Sequence, residues 1–374
     1  MLAPRSLRKR SSRKQSVLRR VAILASVLCL LAAVGVAWLL IDNHSPDASK
    51  KPQRAESPPE LSAWLADWEW EAGLSDLRTA AAGMSGLQVF AAYFDKEDHL
   101  TFTTEFQDAY GQIREAAETD GVEHLSLTVV NDILYEDGTE SQKDADLIGR
   151  LTADSGSRGR HVEEIVNALR SYPFDGVELD YEKIPSSDWD GMSLLISELY
   201  ERLAPLGKSL RVVLEPGIPF DKVKLPSGPT YVVMAYNLHG GFSGPGPKAD
   251  LSFIRKLGAK MDSLPGEPYL ALAAGGFDWL DSSGKVTSLT ERQAEELASL
   301  SEASPGRDSE SGSLHFRYED DDGNKHTVWY ADEETLALWA ETARSIGYSH
   351  VAIWRLGGIG EESLGWMKSV GASS

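Results

Sequence analysis

From Leu61 onward, short runs of apolar residues alternate with longer amphipathic stretches. The runs suit strands buried on both faces, and the stretches carry the period of helices packed on one side. Eight strands are predicted, at 63–68 (AWLADW), 87–93 (LQVFAAY), 124–130 (HLSLTVV), 176–181 (GVELDY), 210–214 (LRVVL), 231–236 (YVVMAY), 269–274 (YLALAA) and 350–354 (HVAIW). Helical patterns between them include 105–118, 160–172, 192–206 and 334–346. Eight strand–helix units in about 315 residues predict an α/β protein built as one (β/α)8, or TIM, barrel over 61–374.

The stretch between the seventh and eighth strands is longer than a crossover helix requires. It contains HFRYEDDDGNKHTVWY at 315–330, which reads as a β-hairpin turning at Asp322-Gly323-Asn324. This small insertion, at about 305–332, is expected to rise over one wall of the barrel's C-terminal face and deepen a groove. Gly357-Gly358-Ile359-Gly360 superficially suggests a phosphate loop, but no lysine follows, and it reads as a barrel loop.

The pattern ahead of the body is different. Residues 21–41 run for 21 positions without a charge, long enough for one transmembrane helix. Residues 1–20 hold eight basic side chains and no acid, so the positive-inside rule keeps them in the cytoplasm and leaves the body outside the cell membrane. A cleaved signal peptide is the competing reading; its apolar core usually runs about 7–15 residues. Residues 42–60 are polar, Pro-containing and without apolar period, a flexible linker.

Charge narrows the partners. The whole chain carries -20, so with the basic head removed the remainder carries -28. Nucleic-acid binding, which rests on clustered Lys and Arg, drops out. The one cysteine, Cys29, excludes an internal disulfide and a multi-cysteine zinc site. The eight His residues show no close metal-ligand spacing, and no cofactor or metal is implied. A monomer is expected.

Candidate chemistry concentrates at the fourth strand. Phe174 to Glu182 reads FDGVELDYE, and the period of two sends Glu178, Asp180 and Glu182 to one face and Val177, Leu179 and Tyr181 to the other. With the apolar set on the helices, the carboxylates point into the barrel toward its C-terminal mouth, where barrel enzymes do their chemistry. At about 6–7 Å spacing along a strand, three buried carboxylates cannot all ionise cheaply, so at least one is expected to stay protonated at neutral pH. A solvated edge strand would alternate in the same way. A barrel strand has no free edge, however, and Asp175-Gly176 gives a tight entry to the run.

Asp175-Gly-Val-Glu178-Leu-Asp180-Tyr-Glu182 resembles the strand-four signature of glycoside hydrolase family 18, the chitinase-like enzymes, D-G-x-D-x-D-x-E. Other pieces agree in order: LSLTVVND on strand three, MAYN at 234–237 resembling M-x-Y-[DN], and Trp354 on strand eight. The resemblance spans 61–367 and is nearest to the bacterial branch with spore-cortex and cell-wall glucosaminidases. It departs at Glu178, where the family pattern has Asp.

The resemblance implies a retaining, substrate-assisted hydrolysis of β-linked N-acetylhexosamine polysaccharide such as peptidoglycan, chitin or exopolysaccharide, an exception to the two-carboxylate scheme. Glu182 would be the acid and then the base. Asp180 would bind the substrate's acetamido N–H, Tyr236 the acetamido oxygen, and Trp354 would floor the subsite. Glu178 would pair with Asp180 and help to drive its reorientation. Asp175, Asn237, Glu215 and Asp278 are further candidates for substrate binding. The alternative reading is a lectin-like surface protein that keeps the groove without useful catalysis. The acidic body also hints at a cationic, partly deacetylated glycan.

Overall fold

The structure is a computed structural model in which residues 59–371 are described. The basic segment, the apolar span and nearly all of the linker lie outside the described residues. Among the described residues, no helix is long and apolar enough to cross a membrane.

Eight parallel strands close on themselves: β1 (Glu60–Ala66), β2 (Gly86–Phe94), β3 (His124–Leu134), β4 (Gly176–Asp180), β5 (Ser209–Leu214), β6 (Thr230–Met234), β7 (Tyr269–Ala273) and β8 (His350–Trp354). Each pairs with its neighbours in sequence, and β8 returns to β1 with Glu60 opposite His350 and Ala63 opposite Ile353. The ring therefore has no free edge, the condition on which the reading of the fourth strand depended. Helices over Thr104–Thr119, Ser155–Ser171, Trp189–Leu203 and Glu333–Ser345 match the helical patterns. Thr103, Asp154 and Asp332 cap three of them by accepting from the N–H three residues on, each contributing about 1 kcal/mol.

Alternation along the strands sorts two cores. Val177, Leu179 and Tyr181, with their counterparts on the other strands, pack outward on the helices. Trp64, Val213, Val232, Met234, Tyr236, Ala271 and Ala352 fill the barrel's interior. Strand ends fall where side chains redirect the chain. β1 stops before Asp67, whose carboxylate is captured by the Tyr93 hydroxyl (2.7 Å) and the Thr103 hydroxyl (2.6 Å). β6 stops short of Asn237, which takes a left-handed φ of 62°, a conformation Asn tolerates better than most residues.

The insertion is larger than the predicted hairpin. The pair Leu314–Glu319 and Lys325–Ala331 forms as expected, with Glu319 opposite Lys325 across the turn. It belongs, however, to a five-stranded antiparallel sheet that begins at Gly275–Leu280, directly after β7, and includes Lys285–Leu289 and Gly306–Arg307. Helix Glu291–Leu300 covers it through Ala294 and Ala298 against Phe316, Val328 and Tyr330. The reason is Gly275, whose φ of 63° turns the chain out of the barrel, so that the strand expected to run on through 274 ends at Ala273. The Gly357-Gly358-Ile359 loop holds a protein carboxylate: Asp76 Oδ2 accepts from all three backbone N–H groups at 2.8–3.0 Å.

Gly276 sets how closely the insertion's strands approach. A Cβ there would lie 1.8 Å from the Trp329 carbonyl oxygen and 2.6 Å from Tyr330 Cα, both backbone atoms. Gly276→Ala is expected to lower stability by about 1–3 kcal/mol, read as a lower urea midpoint with an unchanged m-value.

Candidate active site

A cleft of about 610 Å³ opens at the C-terminal ends of the strands, with Asp180, Glu182, Tyr236, Asn237 and Trp354 in its lining. At its root lies Glu178, fully buried. Its Oε1 accepts from Trp64 Nε1 (2.5 Å) and Thr128 Oγ1 (2.9 Å), and its Oε2 accepts from Arg211 Nε (2.8 Å). Register brings these groups together, since Glu178 stands opposite Thr128 on β3 and opposite Arg211 on β5. The expected charge coupling of Glu178 to Asp180 is present, as the Glu178 charge helps to raise Asp180. The side chain, one methylene longer than Asp, takes an arginine counter-ion and two further donors, and it acts on Asp180 through its charge.

Two residues on, Asp180 is buried and its Oδ1 has no hydrogen-bond partner. Burial above all, then the negative charges of Glu182 and Glu178, push its carboxyl well above the ordinary range. Of the three carboxyls that the spacing crowds together, Asp180 and Glu182 are both raised. Glu182 is also pushed up, chiefly by burial, while Lys143 pulls it back down through a 2.5 Å contact from Nζ to Oε1. Asn131 fixes the Glu182 main chain from both sides, its Nδ2 donating to the carbonyl and its Oδ1 accepting from the N–H, each at 2.9 Å. Burial, followed by Asp180, Glu182 and Glu178, holds the Tyr236 hydroxyl in its protonated form. Trp354 packs edge-on against Trp64 (5.9 Å) and Phe90 (5.3 Å) with its ring in the cleft wall.

Four predicted residues behave differently from the rest. Asn237 lines the cleft as an exposed side chain. Glu215, beyond β5, stands outside the lining; it accepts the Lys183 N–H at 2.7 Å, and its charge helps to raise Glu182. Asp175 is corrected: it precedes β4 at the opposite, N-terminal end of the barrel and accepts the Leu125 N–H at 3.0 Å. Asp278 is corrected too. It sits in the first strand of the insertion, its carboxylate bound to the Tyr318 hydroxyl (2.8 Å) and His326 Nδ1 (2.9 Å).

Sequence reasoning did not find Lys143, Lys248, Asp67 or Asp132 in the cleft wall. Asp67 had a signal, being an acid at the C-terminal end of a barrel strand. The two lysines stand alone in loops and had none. Among the described residues, no group of three or more His, Cys, Asp or Glu side chains is placed to hold a metal ion.

A closed (β/α)8 barrel thus carries buried carboxyls and an aromatic wall at its C-terminal mouth, where barrel enzymes do their chemistry. The sequence model of glycosyl hydrolases family 18 matches residues 138–358, and the chain belongs to that family; it is a glycoside hydrolase. The uncharacterized glycosylase YvbX of Bacillus subtilis is 23% identical over 247 residues, covering 62% of this chain and 70% of its own. The cortical fragment-lytic enzyme of B. subtilis is 23% identical over 244 residues, and this chain spans 55% of its length. In fold, the Bacillus cereus spore cortex-lytic enzyme SleL superposes with a TM-score of 0.70 at 18% identity, over 84% of this chain and 74% of that one. A chitinase from Chromobacterium violaceum gives 0.68 at 19% identity, over 83% and 98%.

Because the folded pKa of Asp180 lies above its unfolded value, the native state holds more protons across that interval. Stability contributed by this group is present at low pH and lost as pH rises. Asp180→Asn is therefore expected to raise the urea midpoint at pH 8, with the gain shrinking toward pH 4, while kcat/KM falls about 10²-fold or more through the lost electrostatic contact.

Proposed function

We propose that this enzyme cleaves β-linked N-acetylhexosamine glycans by a retaining, substrate-assisted reaction. The observation that supports this most directly is the buried, unpartnered Asp180 Oδ1 in a cleft lining that also holds Glu182 and Tyr236. A buried acceptor without a donor is costly unless a ligand supplies one. An acetamido N–H is such a donor. Glu182 gives its proton to the glycosidic oxygen as the C1–O bond breaks and the acetamido carbonyl oxygen bonds C1, forming an oxazolinium ion. Asp180 accepts from the N–H and stabilises the growing positive charge, while Tyr236 donates to the acetamido oxygen. Glu182, now a carboxylate, takes a proton from water, whose oxygen opens the ring at C1 from the face of the departed group and so retains configuration.

Peptidoglycan is the favoured polymer, with chitin and exopolysaccharide as alternatives; the support is that relatives carry the names cortical fragment-lytic and spore cortex-lytic enzyme. The location proposed is outside the cell membrane, held by residues 21–41, and the support is the apolar span behind a basic head. Protease added to intact cells should remove the body while sparing the head; protection of the body overturns that placement.

Glu182→Gln is expected to lower kcat about 10²–10⁴-fold on N-acetylglucosamine oligomers or peptidoglycan while binding persists, with the wild-type product showing the retained anomer by NMR. Undiminished hydrolysis, or inversion, overturns the reading. Removing the Lys143 ammonium takes away the charge that pulls Glu182 down. A general acid fails as pH rises through its pKa, so Lys143→Met should move the alkaline limb of kcat/KM to higher pH.

A further inference from the structure

Beside the cleft lies a second cavity of about 250 Å³, between the ends of β7 and β8 and the insertion. The two share Lys248, Ser288 and Trp354 in their walls. Lys248 comes from the loop after β6 and is buried. Its Nζ donates to the Ala274 carbonyl at 2.8 Å and stands 5.0 Å from the Phe277 ring centre. Among the described residues its ammonium makes no ion pair. An ammonium has three donors, and the carbonyl takes one of them.

We propose that the junction of the two cavities is a subsite for a carboxylate carried by the glycan, on a lactyl ether or on a hexuronate, with Lys248 as its counter-ion. The inference rests on the glycan-cleaving reading above. Charged groups buried in proteins are paired, and a lone ammonium in a cavity wall lacks only its anion. Burial, with the nearby Arg355, pushes the Lys248 ammonium down to about 7, a penalty that a bound carboxylate would relieve. The neighbouring groups fix the charge of the ligand. Arg355 is held by Glu69 at 2.6 Å and so supplies no second free cation. Glu69 and Glu291 also line the side cavity, which disfavours a dianion such as phosphate and leaves room for one negative charge. The cleft lining also holds Asp67, Glu105, Asp132 and Glu140, and its other lysine, Lys143, is taken by Glu182. An anionic substituent is disfavoured beside these acids and favoured at Lys248.

The test is binding to the full chain, carried as Glu182→Gln so that substrate survives. Three glycans are titrated: muramic-acid strands stripped of peptide, so that their lactyl carboxylates are free; the same strands with those carboxylates converted to amides; and oligomers alternating N-acetylglucosamine and glucuronate. Carboxylated glycan should bind roughly 10-fold or more tightly than its amide, and adding Lys248→Met should bring that ratio close to one. Preference for the first or third glycan identifies the source of the carboxylate. Equal affinity for acid and amide, or no binding of either carboxylated glycan, overturns the proposal, and this arm needs no change at Lys248. A retained preference in a protein whose wild type cleaves none of the three would sink the hydrolytic reading and leave the subsite standing.

Discussion

Glu178 and Arg211 meet across β4 and β5 in the barrel's interior, and the electrostatics of the mouth are built above that pair. Taking two charges out of water costs several kcal/mol per ion, recovered only when geometry is good and the remaining lone pairs are satisfied. Here they are. Trp64 on β1 and Thr128 on β3 supply the other donors to Glu178, so side chains from three other strands converge on one carboxylate. Removing Arg211 alone would leave an uncompensated buried charge, the arrangement that costs about 3–5 kcal/mol elsewhere. The pair ties the fold to the site: a fixed negative charge one step below Asp180 adds to the burial that raises the Asp180 carboxyl.

From that root the carboxyls rise along one face, and each step up changes the company the group keeps. Glu178 has an arginine, Asp180 has an unfilled acceptor, and Glu182 has Lys143 and a backbone clamp from Asn131. The three carboxyls thereby meet different surroundings along five residues of chain, which a two-residue repeat of identical acids in water would not do. The arrangement is unfavourable to stability at Asp180 and is carried by the continuous outer core, where the strands' alternate residues pack on the helices. A strained or under-satisfied group persists only where the surroundings over-determine it.

The fold was legible because parallel barrel strands are buried on both faces and leave compact apolar runs; all eight lie within a few residues of their predicted ends. The inward direction of Glu178, Asp180 and Glu182 followed from period two alone. Arg211 carried a readable sign as well, a charge inside the apolar run LRVVL, although pairing it with Glu178 needed the strand register. Misplaced residues have local causes. Asp175 entered with the family motif, yet it precedes its strand and so belongs to the N-terminal face. Asp278 falls in the insertion because Gly275 adopts a positive φ, which nothing in GGFDW announces. Lys143 and Lys248 stand in loops without pattern, and only folding brings them to the cleft.

Net charge and the local groups of the cleft act over different distances. An acid-rich body favours cationic ligands on average, and Asp67, Glu105, Asp132 and Glu140 in the cleft lining agree with that average. Near Trp354 the sign reverses, because Lys248 is buried without an acid while Glu69 is occupied by Arg355. Long-range steering responds to the sum of charges and is screened within about 8 Å at physiological salt, whereas a desolvated ammonium acts at contact and is screened far less. Recognition of a polymer lying across both regions is therefore decided by local groups. A chain uniform in charge would find part of the cleft unfavourable; a chain whose carboxylates are spaced between neutral N-acetylated units would fit both.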